Sequence, residues 1–229
     1  MFPKQLAERV IDIFTCENDV VLDPFMGIGS TILAAYNRGR KGIGFELSRD
    51  FVDIASNRFN SAKELYHERK NEPEIFQEDS RSLDKHLRSE SVHLCLTSPP
   101  YWDILNMRRT ADGKKIKNYS DSNVDLGNIE DYGTFLNELK QIFQKVFHSL
   151  VIGGHCIVVV MDIRKKDMFY PFHSDVAIFM QKIGFSFEDI IIWDRQQEYN
   201  NMRPLGYPYV FRVNKVHEYV LIFKKKISK

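Results

Sequence analysis

The sequence predicts an α/β fold with a mostly parallel, doubly wound sheet. Through most of the 229 residues, short apolar runs typical of strands alternate with amphipathic stretches typical of helices, and this alternation indicates a parallel sheet covered by helices. The last two predicted strands follow each other without a helix, so we expect an antiparallel pair at the sheet edge. Because no repeat, low-complexity tract or Pro/Gly-rich linker divides the chain, residues 1–229 are predicted to form a single domain.

The first half of the chain repeats a pattern of strand, turn and helix. Its strands are predicted at residues 20–22, 42–45, 75–77 and 92–96. Its helices are predicted, from the spacing of apolar side chains, at residues 6–14, 31–37 and 48–70. Gly27 and Gly29 form the turn that opens the second helix, and Ser48 is suited to cap the third.

The second half contains the remaining elements and two long irregular stretches. Helices are predicted at residues 130–150 and 175–182, and strands at 156–161, 187–193 and 219–223. The stretches at about 103–129 and 194–215 have no sustained periodicity and are predicted to be loops. Loops of this length inside a compact domain are usually functional.

Charge and cysteine content narrow the class of protein. The 32 basic and 31 acidic side chains give a net charge of +1, so a polyanion would have to bind at a local patch. Cys16, Cys95 and Cys156 lie in apolar surroundings without CxxC spacing, and are predicted to be reduced core thiols, with no metal site or disulfide. No segment has the length of a membrane span and the N-terminus lacks an apolar signal-peptide core, which predicts a cytoplasmic protein without a membrane partner.

Acidic residues follow the first three predicted strands, at the edge where open α/β sheets bind ligands. Asp23 leads the glycine turn, and its carboxylate would repel a pyrophosphate but attract a sulfonium or ammonium group. That charge favours S-adenosylmethionine over NAD as the cofactor. Glu46 is placed to bind ribose hydroxyls, and Asp79 to accept a hydrogen bond from an adenine amine. The alternatives are an ordinary strand-to-helix turn, a solvated carboxylate at Glu46, and a helix cap before Arg81 at Asp79.

A proline-containing turn, Thr97-Ser98-Pro99-Pro100-Tyr101-Trp102, follows the fourth predicted strand. The prolines fix φ and lack N–H donors, so the turn presents backbone carbonyls and an aromatic ring in a rigid frame. This arrangement suits a planar ring that carries an amine. The alternative is a rigid turn with a packed tyrosine.

These segments resemble the N4-cytosine/N6-adenine DNA methyltransferases. Residues 21–31 and 42–46 resemble the cofactor-binding block of that family, and residues 97–102 resemble its catalytic block, which here comes second. Further segments that fit lie at residues 126–132, 191–194 and 217–224. The resemblance covers most of the chain and implies a Rossmann-like, S-adenosylmethionine-dependent fold that methylates the exocyclic amine of a flipped DNA base.

The resemblance also implies which residues bind S-adenosylmethionine. They lie at the start of the first helix, in the glycine turn and at the acidic strand ends: Phe2, Pro3, Asp23, Pro24, Phe25, Gly27, Gly29, Ser30, Thr31, Glu46, Leu47, Asp79 and Ser80.

Catalysis is predicted to depend on Ser98, Pro99, Pro100 and Tyr101. The Ser98 side chain and the Pro99 carbonyl would accept hydrogen bonds from the amine, and Tyr101 would stack on the base, which aligns it for transfer. Reaching a base within a duplex requires base flipping. A serine at the first position favours cytosine N4, because a hydroxyl can both donate and accept. Adenine N6, an RNA base, a non-catalytic DNA-binding subunit and an NAD oxidoreductase are the alternatives.

The predicted target-recognition residues lie in or beside the two long loops, since no separate recognition domain is predicted. Basic and aromatic side chains suit contact with phosphates and bases, and those predicted to bind nucleic acid are Trp102, Arg108, Arg109, Lys114, Lys115, Lys117, Arg195, Arg203 and Arg212. The expected partner is DNA, either a duplex with a flipped base or a single strand. Recognition by the loops alone, help from a restriction or specificity subunit, and low specificity are the alternatives.

Overall fold

The computed structural model describes most of the chain. The described residues are 2–65, 71–102, 125–165, 167–197, 204–205, 212–213 and 215–226. Residues 103–124 of the predicted loop at about 103–129, and residues 66–70 at the end of a predicted helix, lie outside these ranges.

Seven strands form the central sheet, in the order β3-β2-β1-β4-β5-β11-β8. They are β1 (Val20–Asp23), β2 (Lys41–Phe45), β3 (Glu74–Phe76), β4 (Val92–Thr97), β5 (Leu150–Val160), β8 (Phe185–Asp194) and β11 (His217–Lys225). The first five are parallel to one another, and β11 is antiparallel to both β5 and β8. The predicted antiparallel pair at the edge is therefore confirmed, and the reversed strand lies one place in from that edge.

Helices cover both faces of the sheet, as expected for a doubly wound fold. They are α1 (Lys4–Phe14), α2 (Ser30–Asn37), α3 (Arg49–Leu65), α4 (Tyr132–Ser149) and α5 (Phe172–Ile183). Successive strand residues point to opposite faces: Val21 and Leu94 pack with α1 and α2, whereas Leu22 and Cys95 pack with α4 and α5. Two buried layers result, with the sheet between them.

Short hairpins are the main elements that the sequence did not predict. Strands β6 (Ile163–Lys165) and β7 (Met168–Tyr170) pair antiparallel directly after β5. Within the predicted loop at 194–215, β9 (Pro204–Leu205) and β10 (Arg212–Val213) form a second short pair. Both pairs lack the apolar alternation by which the longer strands were predicted.

The cysteine prediction holds for two of the three residues. Cys95 and Cys156 are buried on neighbouring strands, whereas Cys16 is exposed. Cys16 follows the end of α1, where its backbone N–H donates to Asp19 Oδ2 at 2.7 Å, so the prediction of a core thiol there is wrong.

Across the described residues, we find no helix with the length and hydropathy needed to cross a bilayer.

Close packing of α2 on β2 depends on Gly42. A Cβ at this position would lie 2.9 Å from Ile32 Cγ2 and 3.2 Å from Ile32 Cα, which belongs to the helix backbone. We expect Gly42→Ala to lower the free energy of unfolding by about 1–3 kcal/mol, because α2 must move away from the sheet. Urea denaturation measures this loss. Gly133→Ala is the matched control: its Cβ would meet only Asp131 Oδ1, at 3.4 Å, so unchanged or higher stability is expected there. Equal stability of Gly42→Ala and wild type would contradict this packing.

Candidate active site

A cavity of about 300 Å³ opens at the carboxyl edge of the parallel strands. Most residues predicted to bind the cofactor line it, namely Phe2, Asp23, Pro24, Phe25, Gly27, Ser30, Thr31, Glu46, Leu47, Asp79 and Ser80. All four predicted catalytic residues line it as well: Ser98, Pro99, Pro100 and Tyr101. Pro3, at the start of α1, and Gly29, at the start of α2, are not part of the lining. The structure thus places both predicted blocks around one cavity.

The glycine turn is bonded to the end of β2. Gly27 and Gly29 have φ values of 54° and 77°, which a residue with a side chain rarely adopts. The Gly27 N–H donates to Glu46 Oε2 at 2.8 Å, and the Met26 N–H donates to the Phe45 carbonyl at 2.9 Å. These bonds hold the turn against the end of β2 and against Glu46, which directly follows that strand, so that both face the cavity.

Asp23 links three elements beneath the cavity. Its carboxylate accepts hydrogen bonds from the hydroxyls of Thr31 and Thr97, each at 2.6 Å, and from the Phe25 N–H at 3.1 Å. The residue is only 3% exposed. Burial raises the pKa of Asp23 to about 6, although the three hydrogen bonds oppose the shift. The ionised form is therefore costly unless a positive charge approaches it.

The other two strand-end carboxylates are also engaged by the protein. Glu46 Oε1 accepts from the Ser48 N–H at 2.9 Å, and burial raises the pKa of Glu46. Asp79 caps a 3₁₀ helix (Ser80–Lys85) and accepts from the backbone N–H and the guanidinium of Arg81, both at 2.8 Å. The alternative prediction of a cap before Arg81 is therefore confirmed, and the Asp79 residue still lines the cavity. Three carboxylates from three strands surround the same space.

A hydrogen-bonded chain runs from the proline turn to β11. Ser98 Oγ lies 3.2 Å from Tyr101 Oη, which donates to Glu218 Oε2 at 3.0 Å. Arg195 forms a salt bridge with the other oxygen of Glu218, a residue that is 2% exposed. Burial raises the pKa of Tyr101, and the negative charge of Glu218 raises it further, so the phenol stays protonated. Since the single phenol proton is donated to Glu218, Ser98 must donate its own proton to Tyr101. The Ser98 oxygen then presents its lone pairs to the cavity as acceptors.

Several lining residues were not predicted from the sequence: Met26, Phe45, Phe51, Asp125, Leu126, Met161 and Glu218. Four of them, Met26, Phe45, Met161 and Glu218, lie at the end of a predicted strand or directly beside a strand or the glycine turn, and that position is a signal that could have identified them. Glu218 belongs to a segment that resembles the family, but it lies 117 positions from its partner Tyr101. Only the antiparallel position of β11 brings the two together.

One predicted nucleic-acid contact, Trp102, needs correction. Trp102 is 4% exposed, its Nε1–H donates to the Ile129 carbonyl at 2.7 Å, and its ring packs 5.0 Å from that of Tyr170. It is therefore a core residue rather than a DNA contact. Arg195 lies in the wall of the same cavity and is bonded to Glu218, and its predicted contact with nucleic acid stays a prediction.

The other predicted nucleic-acid contacts stay predictions. For Arg212 the structure describes only the backbone, in β10. The remaining positions lie outside the described residues: Arg108, Arg109, Lys114, Lys115, Lys117 and Arg203.

Comparisons with known proteins bear on the family of this chain. The model of a DNA methylase family matches residues 1–57 and 92–229. The Type II methyltransferase M.MjaI of Methanocaldococcus jannaschii is 29% identical over 168 residues, which cover 64% of this chain and 54% of that protein. The Type II methyltransferase M.MthZI of Methanothermobacter thermautotrophicus is 42% identical over 67 residues, 29% of this chain and 19% of that protein. The chain thus spans about half, or less, of the length of these relatives.

The fold itself matches that of a solved methyltransferase. A protein from Methanosarcina mazei described as an S-adenosylmethionine-dependent methyltransferase superposes with a TM-score of 0.62, covering 96% of this chain and 98% of that one, at 13% identity. This likeness shows a Rossmann-like methyltransferase fold, and the family model accounts for most of the sequence. The chain therefore belongs to the N4-cytosine/N6-adenine DNA methyltransferase family.

Proposed function

We propose that this chain is a DNA methyltransferase that uses S-adenosylmethionine to methylate the exocyclic amine of a flipped base, with cytosine N4 as the first candidate. One observation carries the proposal. A single cavity joins the carboxylates at the ends of β1–β3 to the Ser98–Tyr101 turn at the end of β4. Such a cavity can hold a cationic nucleoside and a planar base side by side. Membership of the family supports both the cofactor and the reaction.

The lining residues suit S-adenosylmethionine, which when bound supplies an electrophilic methyl group on a sulfonium. The carboxylates of Asp23 and Glu46 have pKa values raised by burial, and a neighbouring cation would stabilise their ionised forms. Apolar side chains from Phe25, Leu47 and Phe51 also line the cavity and provide surface for an adenine ring. Charge and apolar surface are both present where this cofactor needs them.

The proline turn holds the base amine for transfer. The amine is a poor nucleophile because its lone pair is delocalised into the ring. Acceptors at Ser98 Oγ and the Pro99 carbonyl favour a tetrahedral nitrogen whose lone pair points away from both of them. Tyr101 is held by Glu218 and by edge-to-face packing on Phe172, with ring centroids 6.4 Å apart. Its fixed ring limits where the base can lie, and such positioning provides much of the rate.

Adenine N6 is the second candidate. The direction of the hydrogen bonds from Ser98 through Tyr101 to Glu218 weakens the argument that favoured cytosine. Cytosine N4 was favoured because a serine hydroxyl could also donate to the neighbouring ring nitrogen. Ser98 instead donates to Tyr101, which leaves it as an acceptor that serves either amine. The remaining support for cytosine is the resemblance to the family, in which a serine at the first position of the catalytic motif favours cytosine N4.

The product identifies both the reaction and the base. The protein is incubated with methyl-deuterated S-adenosylmethionine and unmethylated genomic DNA, and in a parallel reaction with total RNA; each nucleic acid is then digested and analysed by mass spectrometry. We expect labelled N4-methylcytosine. Labelled N6-methyladenine would replace cytosine by adenine in the proposal, and label in RNA alone or in no nucleoside would overturn DNA methylation.

Cofactor binding is expected to weaken in acid. Asp23 has a pKa of about 6, so it is largely ionised at pH 7 and largely protonated at pH 5. Because the neutral form cannot attract a cation, the affinity for S-adenosylmethionine should fall about tenfold between these values. Calorimetry at both pH values tests this, with adenosine, which has no cationic group, as the control. Equal affinity for S-adenosylmethionine at both pH values would show that the buried carboxylate does not face the cation.

A further inference from the structure

The unpredicted hairpin β6–β7 lies at the rim of the cavity. Met161, at the end of β5, lines the cavity, and β6 begins at Ile163. The Tyr170 ring packs 5.0 Å from the ring of Trp102, and the Lys165 ammonium lies 3.9 Å from the same ring centroid. Since Trp102 directly follows Tyr101, the hairpin has a fixed position relative to the catalytic turn.

The outer surface of this hairpin combines exposed apolar side chains with positive charge. Met168 is 56% exposed and Phe169 is 45% exposed. The Arg164 guanidinium lies 5.4 Å, and the Lys215 ammonium 5.0 Å, from the centroid of the Phe169 ring. The Lys215 ammonium also donates a hydrogen bond to the backbone carbonyl of Asp162.

The acidic groups near this surface offset only part of its positive charge, although the Asp162 charge acts on Lys215. Asp162 is 4% exposed and its carboxylate is bonded to His173 Nδ1 at 2.6 Å. Burial lowers the pKa of Lys215 to about 8, which leaves it mostly protonated at neutral pH. Asp167, in the hairpin turn, is one exposed carboxylate against the two cations. The surface is thus locally basic on a chain whose net charge is only +1.

We propose that the β6–β7 hairpin binds the DNA next to the flipped base, with Arg164 and Lys215 on phosphates and Phe169 against a neighbouring base or sugar. This inference rests on the proposed function. Cations beside an exposed ring match a partner that presents phosphates and stacking faces together. The position of the hairpin at the rim of the base cavity favours DNA over a protein partner. A base that enters the cavity brings its flanking phosphates to this rim.

Two single variants test the hairpin. Affinity for a fluorescent duplex is measured by anisotropy over a series of salt concentrations, with S-adenosylhomocysteine present. Arg164→Gln should reduce the slope of log K against log salt by about 0.9, the loss of one phosphate contact. Phe169→Ala should weaken binding about tenfold, as expected for one lost stacking contact.

The controls lie at exposed positions away from the cavity. Lys182→Gln removes a charge at the end of α5, and Ile178→Ala removes an apolar side chain that is 50% exposed on the same helix. Both should bind DNA like wild type. All four variants should retain wild-type affinity for S-adenosylhomocysteine, which shows that they are folded.

The outcomes separate this inference from the proposed function. Suppose that wild type methylates DNA, and that Arg164→Gln and Phe169→Ala show the same DNA affinity and the same salt slope as the controls. The hairpin proposal is then overturned, and the proposed function stands. If wild type methylates no DNA base, the proposed function fails in the labelling experiment. A fluorescent RNA of the same sequence is measured in the same way. If Arg164→Gln and Phe169→Ala weaken binding to the RNA but not to the DNA duplex, DNA is overturned as the partner of the hairpin.

Discussion

Ser98→Ala is expected to lower kcat for DNA methylation by about 100-fold or more, in the range seen when one positioned hydrogen-bonding group is removed from an active site. The Ser98 oxygen is the acceptor that the chain through Tyr101 and Glu218 directs into the cavity. Without it, the amine loses a partner that shapes its lone pair for attack. Affinity for S-adenosylmethionine should be unchanged, because the carboxylates of β1–β3 remain in place.

Single-turnover kinetics with labelled cofactor measure this loss, and calorimetry measures cofactor affinity. Ser61→Ala is the matched control, since Ser61 is exposed on α3 and its hydroxyl bonds only to the Asn57 carbonyl, at 3.1 Å. Tyr101→Phe should also reduce kcat, because Ser98 then loses the acceptor for its proton. Wild-type turnover in Ser98→Ala would contradict the role given to the proline turn.

Glu218→Ala is expected to have the largest effect on stability, a loss of roughly 3–5 kcal/mol. The Glu218 side chain is 3% exposed and its partner Arg195 13% exposed, so the substitution removes a buried carboxylate that offsets the guanidinium charge in the cavity wall. It also removes the acceptor for the Tyr101 hydroxyl. Urea denaturation measures the stability, and Asp84→Ala is the control, because the Asp84–Lys145 pair is much more exposed and should contribute less than about 1 kcal/mol.

Glu218→Gln separates the structural effect from the effect on catalysis. Its amide oxygen can still accept from Tyr101, so the direction of the chain from Ser98 is kept. A leucine at the same position has no acceptor, and Tyr101 would then donate to Ser98 and occupy its lone pair. We expect kcat of Glu218→Gln to exceed that of Glu218→Leu at matched folded fractions. Equal kcat values would mean that Glu218 contributes to packing alone.

The fold was predictable because the strong signals of the sequence are local. Strands such as Val92–Thr97 are short apolar runs that end in a polar residue or a turn, and the helices between them have clear periodicity. The hairpin β6–β7 was missed because Arg164 and Lys165 interrupt any apolar alternation. It is stabilised by contacts with Trp102, a residue far away in the sequence.

The site was predictable where strand ends define it, and not where distant segments meet. Asp23, Glu46 and Ser98 could be placed at one sheet edge because parallel strands share their carboxyl ends. Trp102 was taken for a DNA contact because an aromatic residue after the catalytic turn suits stacking. Its burial depends on Tyr132 and Tyr170, which only the tertiary fold brings within about 5 Å of it. The pairing of Arg195 with Glu218 depends in the same way on β8 and β11 lying side by side.

A crystal structure with sinefungin, a cofactor analogue that carries an amine in place of the sulfonium, and a DNA duplex tests the shared cavity most directly. We expect the adenosine beside Glu46 and Asp79, the amine between Asp23 and the proline turn, and an extruded base with its amine on Ser98 Oγ and the Pro99 carbonyl. An analogue bound elsewhere, or a base held outside the reach of Ser98, would contradict the joint site.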